Sequence, residues 1–209
     1  SDEIAYHYEL ICKEWQEGGQ LNFESSFNRH GGAGLEFLFE HLAKKSDQKL
    51  KIETIYLMAQ ILSKSKHRDF YAAFCDRLIP QIISFLGTND APRRKLIIAL
   101  GWVGTLEQID ILISEMLGSK DSLCRAWAAA SLMQMSFHRV SQAILRDKTK
   151  AAFLQSISSE KELYACAVMI EAAQILFGKK WISSSTAQNQ EAEKIEKARK
   201  MAVRFLGRD

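Results

Sequence analysis

Apolar side chains recur at helical spacing in the middle of the chain, over residues 78–104. The first half of this stretch carries one apolar stripe, formed by Leu78, Ile79, Ile82, Ile83 and Leu86. Gly87 and the polar residues after it are typical of a helix end followed by the N-cap of a new helix. In the second half, Leu96, Leu100 and Val103 lie on one helical face. The pattern predicts two helices joined by a short turn.

The same stretch carries a characteristic set of motif residues. Pro80 closes a Leu-x-Pro opening, Asp90 lies in the turn, and Arg93 follows shortly after it. The second helix contains Ala99-Leu100-Gly101 and then Gly104. With these features the helix pair resembles a HEAT repeat. The resemblance implies an all-α fold of the α-solenoid kind, a right-handed superhelix of stacked antiparallel helix pairs as in HEAT and armadillo proteins. One pair alone cannot bury its apolar face, so neighbouring pairs must stack.

The helical pattern continues on both sides of this unit. Moving the pair forward by 32 positions lays Arg93 on Arg125 and brings the apolar positions into register. The spacing of apolar residues predicts helices over residues 2–16, 35–43, 49–63, 69–86, 91–105, 106–117, 123–137, 151–157, 163–177 and 191–206. Pro80 is expected inside the fourth of these as a kink, and Asp121 as the N-cap of helix 123–137.

We expect residues 1–209 to form a single α-solenoid domain. Residues 1–34 are predicted as an N-terminal helix followed by a flexible loop, residues 35–182 as the HEAT-like helix pairs, residues 183–190 (SSSTAQNQ) as a linker, and residues 191–209 as an amphipathic capping helix. The chain does not begin with methionine, so a fragment of a larger scaffold protein is an alternative interpretation.

The composition limits the class of protein more than it indicates a function. With 47 % hydrophobic and 25 % charged residues, the chain has the profile of a globular protein. No apolar run approaches the ~20 residues of a membrane span. The formal net charge of +3 is small for a nucleic-acid-binding protein. The four cysteines are too far apart for a metal-knuckle spacing, and three of them fall inside apolar helical stretches, where a buried thiol is expected. Free thiols predict a reducing compartment and hence a cytoplasmic location.

No group of residues has the spacing of a catalytic or metal site. The five histidines share no triad or ligand spacing and are expected to be surface or capping residues. The glycine-rich stretch from His30 to Gly34 follows no predicted strand and precedes no Lys-Ser/Thr pair, so it matches neither a dinucleotide-binding nor a P-loop fingerprint. We therefore expect a protein that is not an enzyme and needs neither a cofactor nor a metal.

The candidate binding residues lie on the second helices of the pairs, on the faces that point away from the core. They are Arg94, Trp102, Trp127, Gln134 and Glu171. Tryptophan and arginine are enriched at binding hot spots. Packing between units, or under the capping helix, is the alternative role for both tryptophans. The pattern favours a non-catalytic binding module that clasps a protein partner along a concave second-helix face. One specific form is an immunity or inhibitor protein for a bacterial toxin, a role that small HEAT-like proteins can play.

A second hypothesis is a nucleic-acid-binding protein. Arg93, Arg94 and Lys95 could grip a phosphate backbone while Trp102 stacks on a base. A HEAT-like family of alkylpurine DNA glycosylases uses aromatic residues and an aspartate in such a groove. The inner helices here offer no aspartate at the matching place, only Glu171 and Glu53, which weighs against that enzyme.

Overall fold

The computed structural model describes all 209 residues and contains eleven α-helices and no β-strand. The helices are α1 (Asp2–Glu17), α2 (Gly31–Lys44), α3 (Gln48–Ser63), α4 (Tyr71–Ser84), α5 (Asp90–Val103), α6 (Ile109–Gly118), α7 (Ser122–Met135), α8 (Gln142–Ser159), α9 (Leu163–Phe177), α10 (Ser184–Gln188) and α11 (Ala192–Leu206). Short 3-10 helices, Phe27–His30 and Leu106–Gln108, precede α2 and α6. The predicted all-α fold is confirmed. No helix combines the length and apolarity needed to cross a membrane.

Several helix ends follow directly from local sequence chemistry. The Asp121 carboxylate accepts a hydrogen bond from the backbone N–H of Cys124, which confirms its predicted role as the N-cap of α7. The Asp47 carboxylate caps α3 in the same way. Gly178 ends α9 with a left-handed backbone, at a φ of 68°, that glycine adopts without a steric penalty. Pro80 lies inside α4, as the sequence predicted.

The helices pack neighbour to neighbour, and four of them form a row. In this row, which we call the second-helix row, α3 contacts α5, α5 contacts α7, and α7 contacts α9. The intervening helices α4, α6 and α8 pack against the row, and α11 packs on α8 and α9. The buried apolar side chains form one continuous cluster that extends from Ile4 to Leu206. Neighbouring helices therefore share a single core along the whole chain.

Within the row, α5 and α7 approach each other closely. The Ser131 hydroxyl donates a hydrogen bond to the Ile97 carbonyl oxygen at 2.8 Å. A Cβ atom added at Gly101 would lie 2.7 Å from the Cα atom of Ser131, and one added at Gly104 would lie 2.8 Å from Met135 Cε. Near the start of α5 the Asp90 carbonyl oxygen lies 3.9 Å from Cys124 Sγ, and further along α5 Gly101 meets Ser131 and Gly104 meets Met135, so α5 and α7 run parallel. Gly101 lets the two backbones touch.

Two segments that the sequence analysis assigned to loops are partly helical. The predicted helix 35–43 starts earlier, because α2 begins at Gly31 inside the glycine-rich stretch. A Cβ atom added at Gly34 would lie 2.8 Å from His30 Cβ and 3.1 Å from Phe27, so a low helix propensity is accepted here for close packing. The predicted linker 183–190 contains α10, whose Thr186 and Ala187 are buried. Tertiary contacts outweigh local polarity at both places.

Other differences concern helix lengths and the direction of single side chains. The predicted helix 151–157 is the C-terminal part of the longer α8, whose polar N-terminal half still buries Leu145 and Thr149. α4 ends at Ser84, before Leu86, and Ile83 is 39 % exposed although it was assigned to the buried stripe. Helical periodicity in α7 would place Ala126 on the outward side together with Trp127, but Ala126 is fully buried. In these cases a neighbouring helix, and not the period of one helix, determines what is buried.

Histidines attach α1 to the rest of the fold. His7 is buried, and its Nε2–H donates to the Phe23 carbonyl oxygen at 2.8 Å, so its Nδ1 must accept the 2.8 Å hydrogen bond from Nε2 of His30. His41 stacks on Phe37 and meets the ring of Tyr8 from α1 edge-on. The expectation of surface or capping histidines is therefore wrong for His7, because the sequence could not show that two histidines 23 residues apart are paired.

We expect acid to loosen α1 before the rest of the chain. Burial lowers the pKa of His30 and of His41, with nearby positive charge adding to the effect. A lowered folded-state pKa means that these rings stabilise the fold above the ordinary value of about 6.5 and lose that contribution as the pH falls below it. Hydrogen exchange of α1 amides, compared with α9 at pH 7.5 and 5.5, measures this. His30→Gln can still donate to His7 but does not titrate, and should reduce the difference; equal acid sensitivity of α1 and α9 would contradict the prediction.

Candidate functional site

The structure places the predicted site residues along the second-helix row but separates them into different environments. Arg94 and Trp102 lie on α5, Trp127 and Gln134 on α7, and Glu171 on α9. None is fully buried and none is among the fully exposed residues. Trp127 and Glu171 come together in one groove. Arg94, Trp102 and Gln134 do not join them.

Arg94 holds neighbouring helices together. Its guanidinium donates through Nε and Nη2 to the two carboxylate oxygens of Asp121, at 2.6 and 2.8 Å. These hydrogen bonds from Arg94 hold the pKa of the Asp121 carboxyl at about 2, and the hydrogen bond from the Cys124 N–H adds to the effect. The same carboxylate thus caps α7 and links it to α5. Binding a partner through Arg94 would require this bidentate pair to break, so the structure favours a structural role for Arg94.

The other two cations proposed for phosphate contact are also neutralised within the chain. Arg93 pairs with Glu115 of α6, and Lys95 Nζ lies 2.6 and 2.8 Å from the carboxylate oxygens of Glu53 on α3. Each of the three consecutive basic residues therefore contacts a carboxylate on a different element. None of the three side chains therefore presents an unpaired positive charge to the solvent.

One further arginine, which the sequence register aligned with Arg93, forms the most buried ion pair. Arg125 donates in a bidentate arrangement to Glu160, at 2.6 and 2.8 Å, and its Nη1 also donates to the carbonyl oxygens of Ser119 and Lys120. Burial raises the pKa of Glu160, but the hydrogen bonds from Arg125 and from the Glu162 N–H outweigh it and hold that pKa below its ordinary value. The pair ties α7 to the segment just before α9.

Trp102 belongs to an aromatic cluster at the α3–α5 side of the row. Its ring lies 5.6 Å from the ring of Tyr56 on α3, and the Lys95 ammonium lies 5.5 Å from the Tyr56 ring. The Tyr71 hydroxyl donates to the Trp102 carbonyl oxygen. The Trp102 side chain is half-buried, so it fills space between helices and still presents part of its surface.

Trp127 and Glu171 line a surface cavity of about 230 Å³ between α7, α9 and α10, which we call the α7–α9 groove. The ring of Tyr164 meets that of Trp127 edge to face, with centroids 6.4 Å apart. Apolar side chains form most of the remaining wall, and the groove is lined by Ala130, Met133, Val168, Ala172, Ile175, Ser184, Ala187 and Gln188 in addition to those three. Burial raises the pKa of the Glu171 carboxyl, although the Ser184 hydroxyl hydrogen-bonded to it works in the opposite direction.

Tyr164, Val168 and Ile175 line the groove although the sequence did not single them out as site residues. They precede or follow Glu171 by seven, three and four positions, which is the spacing of one helical face. That signal was present in the sequence, but an apolar helix offers several such faces and only the neighbouring helix selects one. Gln134, in contrast, is half-buried and does not line the groove.

The thiols and acidic groups form no further chemical centre. All four cysteines are unpaired thiols, and burial raises the pKa of Cys75 to about 12 and those of Cys124 and Cys166 to about 11, so these three are protonated at neutral pH. No three histidine, cysteine, aspartate or glutamate side chains lie close enough to hold a metal ion. In comparisons with known proteins, no family model, no curated protein and no solved structure matches this chain.

Proposed function

We propose that this chain is a non-catalytic HEAT-like α-solenoid module that clasps a protein partner along the concave, solvent-facing side of its second-helix row. The observation that carries the proposal is the pair of part-exposed tryptophans on this row, each set against a tyrosine of the adjacent helix: Trp102 with Tyr56 and Trp127 with Tyr164. Rigid aromatic side chains bury a large area on binding at a small entropic cost. An immunity or inhibitor protein for a bacterial toxin is one form of such a module.

The ion pairs across the row support this proposal physically. Arg94–Asp121 links α5 to α7, and Arg125–Glu160 links α7 to the segment just before α9. The nitrogen and oxygen atoms of each pair are 2.6 Å apart, and these links fix the relative positions of the helices. A surface held in this way loses little conformational freedom on binding, which favours affinity. The same pairing reduces the charge available to a phosphate backbone, so the nucleic-acid hypothesis receives less support than it did from the sequence.

We expect the wild-type chain to capture one protein partner that the tryptophan variants lose. The tagged chain is used to capture proteins from native lysate with and without nuclease, and the variants Trp102→Ala and Trp127→Ala are compared with wild type. Truncating a hot-spot residue costs at least about 2 kcal/mol, so each variant should bind the partner roughly 30-fold more weakly. Affinity is then measured by titration with the purified partner.

The matched control is Trp15→Ala, a half-buried tryptophan on α1, outside the second-helix row. It should retain the partner, while circular dichroism confirms that all variants remain folded. A partner that both row variants bind as tightly as wild type would overturn the proposed face. Captured material that disappears after nuclease treatment, and whose binding weakens steeply with increasing salt, would instead support nucleic-acid binding.

A further inference from the structure

The α7–α9 groove contains a carboxylate with no cationic partner. Asp121, Glu115, Glu53 and Glu160 each form an ion pair with an arginine or lysine of this chain. Glu171, although half-buried, forms no ion pair, and the hydrogen bond that it accepts from the Ser184 hydroxyl is long, at 3.4 Å. A partly desolvated carboxylate is costly to leave unpaired. The groove is therefore electrostatically incomplete, and the group that would complete it is a cation.

The walls around Glu171 suit a particular kind of cation. Trp127 and Tyr164 offer aromatic rings, which attract ammonium and guanidinium groups. Val168, Met133 and Ile175 offer apolar surface, and Ile175 is 42 % exposed. A long basic side chain has both complementary parts, because its alkyl stem packs on apolar atoms while its charged end stays at a polar group.

The size of the groove favours one side chain over a free small molecule. Its volume of about 230 Å³ lies below the roughly 300–1,000 Å³ typical of small-molecule pockets. We propose that the α7–α9 groove takes a single lysine or arginine side chain from the protein partner, with the cation on Glu171 and the stem between the apolar residues of α7 and α9. This inference rests on the proposed function and specifies the chemistry of the partner at this place.

The proposal is tested on the isolated protein with small probes. Nα-acetyl-lysine N-methylamide and the corresponding arginine compound are titrated into the folded chain, and the shifts of the tryptophan indole N–H signals are followed by NMR. The Trp127 signal is assigned by its loss in Trp127→Ala. We expect Trp127 to shift, with a Kd on the order of 1 mM for one contact of this kind. The analogue acetylated on the lysine Nε, which has no charge, should bind at least about tenfold more weakly.

Variants separate the carboxylate from the shape of the groove. Glu171→Gln should weaken lysine-probe binding at least about tenfold, whereas Glu193→Gln, an exposed carboxylate on α11 without an ion pair, should leave it unchanged. Ala130→Phe keeps Glu171 but fills the groove, and should also abolish binding. The affinity of the wild type for the lysine probe should decrease as the pH is lowered and Glu171 becomes protonated. Equal binding of charged and neutral probes, or full binding by Glu171→Gln, would overturn the inference.

The failure of this inference is distinguishable from that of the proposed function. A protein partner that is lost on Trp102→Ala and Trp127→Ala but retained by Glu171→Gln would leave the binding face intact and refute the cation in the groove. Loss of the partner in Glu171→Gln, together with binding of the charged probe by the wild type, supports both the binding face and the cation in the groove. Probe binding without any partner that depends on Trp102 and Trp127 would refute the partner-binding face.

Discussion

Replacement of Arg125 by methionine is expected to lower the free energy of unfolding by about 3 kcal/mol, because it leaves the Glu160 carboxylate buried without its cation. The Glu160 side chain is 3 % exposed and that of Arg125 20 %, so solvent screens this pair little. The variant also loses the donors to the carbonyl oxygens of Ser119 and Lys120. Urea unfolding at pH 7.5, followed by circular dichroism, measures the change.

The pH dependence of this variant is a second readout. In the wild type the folded-state pKa of Glu160 is lowered, so the pair contributes stability above the ordinary glutamate value and loses it as the pH falls. In Arg125→Met burial and the backbone N–H groups of Glu162 and Lys161 remain, and we expect burial to dominate and raise the Glu160 pKa. A carboxyl whose folded-state pKa is raised stabilises the fold more as the pH falls, which is the opposite dependence. The variant should therefore recover part of its stability as the pH is lowered from 7.5 towards 5.

Two controls make the Arg125 prediction specific. Arg29→Met removes an exposed pair with Glu3, whose atoms are 3.5 Å apart, and should change stability by less than about 1 kcal/mol. The double variant Arg125→Met with Glu160→Leu removes both charges and should regain most of the loss, because an apolar pair can replace a buried ion pair. If Arg125→Met unfolds at the same urea concentration as wild type, the pair is not a structural link between α7 and the segment just before α9.

Replacement of Gly101 by alanine should also destabilise the fold, although helix propensity alone predicts the reverse. Alanine in place of glycine in a helix interior is favourable by about 1 kcal/mol. The added Cβ, however, would lie 2.7 Å from the Cα of Ser131 and 2.8 Å from its Cβ and Oγ, so the α5 and α7 backbones must separate. Overpacking that forces backbone shifts costs about 1–3 kcal/mol. Because these contacts are with backbone and with Cβ atoms, the cost should lie near the upper end, and we expect a net loss of about 1–2 kcal/mol in urea unfolding.

Gly118→Ala is the matched control for this prediction. Gly118 lies at the end of α6, and nothing lies within 4 Å of a Cβ atom added there. That substitution should leave stability unchanged or increase it slightly. Equal or greater stability of Gly101→Ala would mean that the α5–α7 contact relaxes without cost, and that the two helices are not held by close backbone packing.

The candidate site shows which of its features helical periodicity can predict. The spacing of residues in α7 and α9 placed Trp127 and Glu171 on outward faces, and the structure brings them to one groove. The same reasoning grouped Arg94 with them, but its charge is satisfied by Asp121 on the neighbouring element. Periodicity describes one helix at a time. The ion-pair partner of a long basic side chain depends on which helix is adjacent and in what register.

The amino-acid sequence by itself determined that the chain is helical and where most helices start and stop. Apolar spacing, Asp121 as a capping residue and the near absence of proline are local features, and local physics suffices to interpret them. Only the tertiary structure decided that the glycines from Gly31 to Gly34 belong to a helix, that His7 meets His30, and that Glu171 has no cation. Each of these depends on atoms from distant parts of the chain, whose approach is determined by the packing of the helices against one another.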